Sequence, residues 1–484
     1  MLPISLRPNG RRAIIVGAGE VAARKAEALL AAGFPILVVA PEIVPRLELL
    51  VAQGRISHAA RAYDSGDLSH AALAIAATNS RDVNARVVAD ARARGVLVSD
   101  ASDAARGDFT IPATQRIGDL TINVDSGGGA PGLAARIARE LAQHLGTEYG
   151  EAAANFARIR GYVKDAFPAD ERSDILEELN RKTIGELAAM QSATLVCATR
   201  RSPLATIQSR AIAALLARHG IATTMLPITT HGDAHREKPI DELGEVNVFV
   251  KELERALRDK RADYAVHSCK DLPSTLSDDI SLCAVGARED PRDAFCSERF
   301  HSFESLPANA VVGTSSPRRR EQLAALRPDV RYESIRGNVD TRLKKLVEGE
   351  YDAIVLAMAG LKRLRVRATH TVPFPIDALV PAVGQGALAV TARAQDEWLR
   401  ATIGSVVNDA ASELCVQCER SALSQLRAGC SAPIGIHAEL RDGRIRVTLV
   451  AARDGTLRRC ALEAPIAGIA EAQALGRRVA EEAA

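Results

Sequence analysis

Four segments in the second half of the chain gather cationic and hydroxyl side chains where strand-like runs end. They are Thr199-Arg200-Arg201-Ser202, His267-Ser268-Cys269-Lys270-Asp271, Gly313-Thr314-Ser315-Ser316-Pro317-Arg318-Arg319-Arg320, and Arg336-Gly337-Asn338-Val339-Asp340-Thr341-Arg342. The planar fork of arginine matches a carboxylate with two parallel charge-assisted hydrogen bonds. Pro317 suits the first position of a helix, whose free N–H groups would add donors beside Arg318 and Arg319. Each arginine alone reads as a solvated surface charge. Four such loops in a chain of formal charge +2 point to one strongly anionic ligand. Asp271 is the odd member. It is either a salt-bridge partner for Lys270 or an arginine, or a lone anion kept to stabilise positive charge that the arginines would repel. Cys430, in Arg427-Ala428-Gly429-Cys430-Ser431-Ala432-Pro433, lies in a loop bounded by glycine and proline. A buried inert thiol is the ordinary fate of cysteine, whereas a loop thiol among cations ionises readily and becomes a nucleophile.

The first half carries a different chemistry. Gly17-Ala18-Gly19-Glu20-Val21-Ala22 follows the strand-like RAIIV and opens a helical pattern, which is GxGxxA in the context a dinucleotide site requires. Gly17 permits the tight turn, Gly19 lets a pyrophosphate approach the backbone, and Ala22 lets helix and strand pack closely. Glu20 and Val21 then stand at the helix start facing the phosphates. The next strand ends VVAPE (38–42) with no acid at its tip, so Glu42, or the backbone of Ala40 and Pro41, must hold the ribose. A purely structural glycine turn is the other reading.

These residues need a scaffold, and 484 residues suffice for about three to five domains. Hydrophobic residues at 47% and charged residues at 25% describe a globular chain, with a core built from Ala, Val, Leu and Ile because aromatics are only 3%. The charge balance, 62 basic against 60 acidic residues, excludes a global field for nucleic acid. No early segment has the apolar length of a secretory signal or a membrane span, so the reading is a soluble, cytoplasmic protein. Eight cysteines are too few for a disulfide framework, and the Cys415/Cys418 pair has no partner pair at zinc spacing. Residues 12–100 alternate short runs apolar on both faces (13–17, 36–40, 73–78, 95–100) with alanine-rich helical patterns, which is how a parallel sheet between helices reads. A further strand at 119–126 precedes a helix over 131–145, and 150–190 reads as helical with a linker. From 194 a second α/β alternation begins: 194–200, 223–230, 262–268, 281–287, 310–316, 351–360 and 387–393, with a half-exposed antiparallel strand at 444–455. The two halves share no repeat.

Two resemblances follow from these motifs. SLRPNGRRAIIVGAGEVAARKAEALLAAG, LAIAATNSRDVNARV, GDFTIPA and VDSGGGAPGLAARIARELA resemble, across residues 1–165, the N-terminal module of siroheme synthases, a precorrin-2 dehydrogenase and sirohydrochlorin ferrochelatase. The resemblance implies NAD as cofactor, precorrin-2 as substrate, iron as the metal inserted, and a homodimer formed through the segment after the Rossmann fold. Counting back from Phe109, the family's catalytic aspartate falls on Ser102, with Asp103 beside it and Asp100 two residues before. A serine is a poor base, so either the loop shifts and Asp103 serves as the carboxylate that accepts protons, which is the reading taken, or metal insertion is weakened. Ser126 matches a position near the tetrapyrrole site.

ATRRSPLA, VHSCKDLP, GTSSPRRR, IRGNVDTRL, LAMAGLKRL, PAVGQGAL and AGCSAPIG resemble hydroxymethylbilane synthase (porphobilinogen deaminase) in order and spacing across 193–484. Cys269 departs from the methionine of many relatives. The resemblance implies a dipyrromethane cofactor held covalently by Cys430 and porphobilinogen as substrate. Asp271 would be the catalytic carboxylate with Lys270 beside it, and Arg200, Ser268, Thr314, Ser315, Arg318, Arg319, Arg336 and Arg342 would bind the acetate and propionate groups. The expected fold class is α/β throughout: an NAD-binding Rossmann domain (1–115), a dimerisation and helical segment with linker (116–190), a first deaminase lobe (193–286 plus 387–405), a second (290–383), both resembling periplasmic binding proteins, and a small third domain (410–484). Two other readings stay open: an inactive NAD-binding or dimerisation module in the first half, and a non-catalytic anion-binding module in the second.

Overall fold

The computed structural model describes residues 2–229, 250–427, 432–453 and 456–483. They form two compact units, Met1–Ala154 and Asn155–Ala484. No described helix is long and apolar enough to cross a membrane.

The first unit is built on five parallel strands ordered Ser57–Ala59, Ile36–Val39, Arg12–Val16, Ala71–Ala76, Leu97–Asp100. Successive side chains of a strand point to opposite faces. Ala13 and Ile15 therefore join one buried cluster with Ala22, Ala26 and Leu47, while Ile14 and Val16 join another with Val87 and Ala91. Both faces are covered, which is why these strands are apolar throughout. The chain leaves the central strand Arg12–Val16 toward one edge and returns through Ala71–Ala76 on the other side, and ligands of such sheets bind where those two strands end. The expected strand over 119–126 is Leu120–Val124, paired antiparallel with Ala113–Ile117 as a separate hairpin.

The second unit holds two lobes with one strand plan. In the first, the order is Ile280–Val285, Leu388–Arg393, Tyr264–Ser268, Thr194–Arg200, Ala222–Ile228. In the second, it is Arg331–Glu333, Val311–Gly313, Ala353–Ala357, Asp293–Ser297, His370–Pro373. Each has one strand antiparallel to both neighbours, Leu388–Arg393 and Asp293–Ser297 respectively. The chain must therefore pass between lobes twice, through 286–292 and 374–387. The crossings bind each other: Glu289 N–H donates to Gly386 O (3.2 Å), Arg288 Nε to Gln385 O (2.9 Å) and Gln385 Nε2 to Pro291 O (2.7 Å). Asp293–Ser297 is wholly buried and was not among the expected strands. The run read as a strand over 351–360 stops at Ala357, and the helix Met358–Leu364 takes the rest.

The third domain packs helices Ala410–Gln425 and Ile469–Ala483 on the antiparallel sheet Ile434–Arg441, Arg444–Arg453, Thr456–Pro465. Cys415 and Cys418 belong to that core, where burial raises both thiols. Glu419, fully buried, ties the domain to the crossings: it holds Arg288 Nη1 at 2.6 Å and accepts from Gly384 N (2.7 Å) and Ala438 N (2.8 Å). Helices of 155–188 also pack inward, with Ile159, Val163, Phe167, Ile175 and Leu179 in one buried cluster with Ala213 and Ala217.

Candidate functional site

At the end of Arg12–Val16, Gly17 turns with φ +104, and a Cβ there would lie 2.3 Å from Ala77 O. Only glycine fits both the backbone angle and the contact. Gly19 caps the helix Glu20–Ala31 with no side-chain acceptor for the first-turn N–H groups, and a Cβ on it would meet nothing within 4 Å. A helix start with unclaimed donors and open space beside it fits a dinucleotide pyrophosphate. Val21 is 40% exposed there, while Glu20 faces Arg46 Nη1 at 3.8 Å. Ala40 is buried, its carbonyl accepting from His58 Nε2 at 2.9 Å; Pro41 and Glu42 are exposed.

A cavity of about 530 Å³ opens in the same unit, lined by Arg24, Lys25, Asp100, Ser102, Asp125 and Ser126 among others. Burial lowers the Lys25 ammonium, with Arg24 adding to the effect and Asp125 opposing it. Ser126 Oγ accepts from Ala130 N (3.1 Å) in the turn leading into helix Pro131–Leu145. Asp103 does not line the cavity. Its carboxylate accepts from Ala105 N (3.1 Å) and stands 3.2 Å from Arg106 Nε, so it caps the short turn Ala104–Arg106. The carboxylates that do line it are Asp125 and Asp100, the latter the last residue of Leu97–Asp100.

In the second unit, Ser268, Lys270, Arg319 and Arg342 line one small cavity of about 100 Å³ with Gln208, Arg363 and Gln385. Residues from three sequence-distant loops are thereby brought together. Lys270 Nζ donates to Gln385 Oε1 (3.4 Å), and Gln208 Nε2 to Ser268 Oγ (2.9 Å). Burial pushes the Lys270 ammonium down to about 8; Asp271 opposes the shift and Arg319 adds to it. Arg342 is held down to about 10 by burial, then by the like charges of Arg319 and Arg336. Its Nε donates to Gly337 O (2.9 Å). Arg336 and Arg342 have no carboxylate partner among the described residues, so they form a pair of cations open to an anion.

Arg318 and Arg319 are placed differently. Both are buried on Asp293: Arg318 Nη1 lies 2.7 Å from Oδ2, and Arg319 Nε and Nη2 donate to Oδ1 at 3.0 and 2.7 Å. Arg318 Nη1 also donates to Val380 O (2.7 Å), and Arg319 Nη1 to Val355 O (2.9 Å). Gln385 Nε2 also donates to Asp293 Oδ1 (3.0 Å). Ser315 Oγ donates to Ile335 O and accepts from Ile335 N, fastening the loop that carries Arg336; Thr314 is buried and its Oγ1 accepts from Ser316 N. Arg200 is partly buried, and its charge, after burial itself, lowers the neighbouring His267 to about 4. Asp271 is exposed one residue beyond Lys270 and makes no hydrogen bond or ion pair among the described residues. Cys430 lies outside the described residues.

Asp293, Gln385, Gln208 and Arg363 were not singled out from sequence. Gln385 sits inside the block PAVGQGAL, whose glycines carry the signal: Gly384 and Gly386 have φ +67 and +93, and a Cβ at Gly386 would lie 2.2 Å from Glu289 O.

Comparison with known proteins agrees with this division. Residues 195–401 match the family model described as "Porphobilinogen deaminase, dipyromethane cofactor binding domain", and 413–484 match "Porphobilinogen deaminase, C-terminal domain". Residues 4–113 match an NAD(P)-binding family. Among solved structures, the chain is similar to SirC, precorrin-2 dehydrogenase, at 25% identity over 37% of this chain and 89% of that one, with a TM-score of 0.33. It is similar to a periplasmic domain of Bordetella pertussis BvgS at 13% identity, covering 50% of this chain and 92% of that one (TM-score 0.29). It is also similar to an arginine transport system periplasmic binding protein of Legionella pneumophila at 12% identity, covering 44% and 92% (TM-score 0.27). The two deaminase models together span more than half of the chain. Over residues 195–484 the chain belongs to the porphobilinogen deaminase family, an enzyme family of tetrapyrrole biosynthesis, and it carries that domain set behind an NAD(P)-binding module.

Proposed function

We propose that the second unit joins four porphobilinogen molecules into hydroxymethylbilane with release of ammonia, and that the first oxidises precorrin-2 to sirohydrochlorin with NAD, with iron as a further substrate of the same cavity. The observation that carries the deaminase reading is a free carboxylate, Asp271, next in sequence to the ammonium of Lys270, which lines one cavity with Arg319 and Arg342; Arg342 and its neighbour Arg336 have no anionic partner among the described residues.

The described residues fit a dipyrromethane on charge. Bound through Cys430, that group would supply the terminal pyrrole to which units are added. Arg336, Arg342 and Lys270 take the acetate and propionate groups of the incoming porphobilinogen. As the amino group of its aminomethyl substituent leaves as ammonia, the methylene-pyrrole left behind is cationic, and cationic surroundings alone would repel it. Asp271 supplies the single anion for that charge, and fixed charge aimed where charge develops is worth more than the same charge in water. Arg318 and Arg319 hold the cleft wall through Asp293 and lend it their residual field.

In the first unit, NAD would supply the hydride acceptor, its pyrophosphate at Gly17, Gly19 and the start of Glu20–Ala31 and its ribose near Ala40, Pro41 and Glu42. Asp100 is the carboxylate we place in the proton-accepting role. Arg24 and Lys25 face the substrate's acid groups.

Intact mass of the purified full chain tests the deaminase reading. A covalent addition of two pyrrole units, absent in Cys430→Ala, is expected; a bare chain from cells that make porphobilinogen would favour the non-catalytic anion-binding module. The ammonium of Lys270 gives a second expectation. It is charged below about pH 8 and neutral above, so KM for porphobilinogen should rise as pH passes 8, by about tenfold per 1.4 kcal/mol of lost binding. Lys270→Gln should flatten that alkaline limb, and an unchanged limb in the variant would assign it elsewhere.

A further inference from the structure

Asp100 lines the cavity of the first unit, yet its side chain has no solvent exposure. Ser102, two residues on, lines the same cavity, is exposed, and donates its Oγ–H to Asp100 Oδ1 at 2.6 Å. Ser102 N–H donates to the same oxygen at 2.9 Å. The other carboxylate oxygen takes no hydrogen bond, and Arg106 Nε stands 3.5 Å from it. The buried carboxylate thus reaches the cavity through the serine hydroxyl.

That hydroxyl is oriented from behind. Asn84, 1% exposed, donates Nδ2 to Ser102 Oγ (3.3 Å) and to Thr78 O (3.1 Å), and its Oδ1 accepts from Thr78 N (3.0 Å) and Thr78 Oγ1 (2.7 Å). Thr78 N in turn lies against the Gly17 turn, 2.8 Å from where a Cβ on Gly17 would stand. A hydroxyl oxygen has one proton and two lone pairs. Here the proton points to Asp100 and one lone pair accepts from Asn84, which leaves one lone pair for the cavity.

We propose that Ser102 is the catalytic residue that meets the substrate and Asp100 the base behind it, with Asn84 and Thr78 as positioning residues that link this pair to the dinucleotide turn. The inference rests on the dehydrogenase reading and deepens it. In the step, the substrate loses a hydride to NAD. It also loses a proton to the free lone pair of Ser102 Oγ as the original Oγ–H proton passes to Asp100 Oδ1. Ser102 ends as it began, Asp100 ends neutral, and its proton returns to solvent by the reverse path. A serine with no carboxylate behind it is a poor base; with one at 2.6 Å, the pair acts as a general base. The serine standing where a carboxylate was expected is on this account part of the machinery.

The test uses the full chain with precorrin-2 and NAD, and calorimetry for NAD binding. Ser102→Ala should lower kcat about 100-fold, within the range for loss of a general base, with the dissociation constant for NAD unchanged within twofold. Ser102→Thr, which keeps the hydroxyl, should recover to within about tenfold of the parent. Asp100→Asn should fall as far as Ser102→Ala, and the double variant no further, as expected of residues acting as a unit. A Ser102→Ala variant with more than half the parental kcat overturns the relay while leaving the dehydrogenase reading intact. A parent chain that binds NAD and leaves precorrin-2 unoxidised overturns both.

Discussion

Asp271→Asn is expected to lower the rate of hydroxymethylbilane formation about 10²–10³-fold while leaving Tm unchanged. The stability half follows from placement: Asp271 is exposed and makes no hydrogen bond or ion pair among the described residues, so its loss is a surface change within about 0.5 kcal/mol. The rate half follows from charge. Lys270 adjoins it in sequence, and Arg336 and Arg342 share no carboxylate among the described residues. In such a field Asp271 is the exposed anion we assign to a pyrrolic cation, Asp293 being already paired with Arg318 and Arg319. At about 4 Å and an effective dielectric of about 20, opposite unit charges attract by about 4 kcal/mol, close to a thousandfold in rate. Asparagine keeps the shape and removes the charge. Initial rates of bilane formation beside a melting curve measure both halves. Turnover equal to the parent's would take Asp271 out of the mechanism, and a lowered Tm would turn the carboxylate into a structural group.

What the sequence made legible was set by how locally each feature is encoded. Strands covered on both faces, such as Arg12–Val16 and Ile36–Val39, are short apolar runs and read at once. The turn at Gly17 reads because its backbone angle and its contact with Ala77 both demand glycine. Asp293–Ser297 stayed hidden because its run, Asp-Ala-Phe-Cys-Ser, holds one large apolar side chain between polar ends and follows Pro291, which argues against a central strand. Its aspartate is buried only because two arginines some 25 residues later fold back onto it, and no window on the sequence contains that pairing. The loop 100–109 shows the same limit. Counting along it cannot tell which carboxylate turns inward. Strand register puts Asp100 on the cavity, and the cap of Ala104–Arg106 takes Asp103 away from it. Arg318 and Arg319 read as a pair of ligand-binding cations by residue type. Their burial at 4% and 7% exposure shows that much of their charge is spent inside the lobe.

That internal use of charge sets the largest stability effect. Asp293→Ala is expected to destabilise the second unit by about 3–5 kcal/mol, the usual cost of leaving buried charge without its partner. Asp293 is fully buried, with three donors on Oδ1 and Arg318 Nη1 2.7 Å from Oδ2. Its removal would leave two guanidiniums sharing one enclosure and would free Gln385, which also holds Lys270. The corresponding drop in Tm is on the order of 10 °C. Arg318→Leu should cost less, because Arg319 continues to neutralise the carboxylate through two hydrogen bonds. The dependence on pH has a definite sign. Burial by itself would raise the Asp293 carboxyl, and the charges of Arg318 and Arg319 overturn that and hold it well below the usual carboxylate range. A carboxyl lowered in the folded state stabilises at all pH values above its unfolded pKa, about 3.9, and the contribution fades only as pH falls toward the folded value. The Tm gap between parent and Asp293→Ala should therefore stay level from pH 7 to pH 5 and begin to narrow only below about pH 4. A gap under 2 °C at neutral pH would mean that the two arginines find other counter-charges, and the buried triad would lose its place as the anchor of the cleft wall.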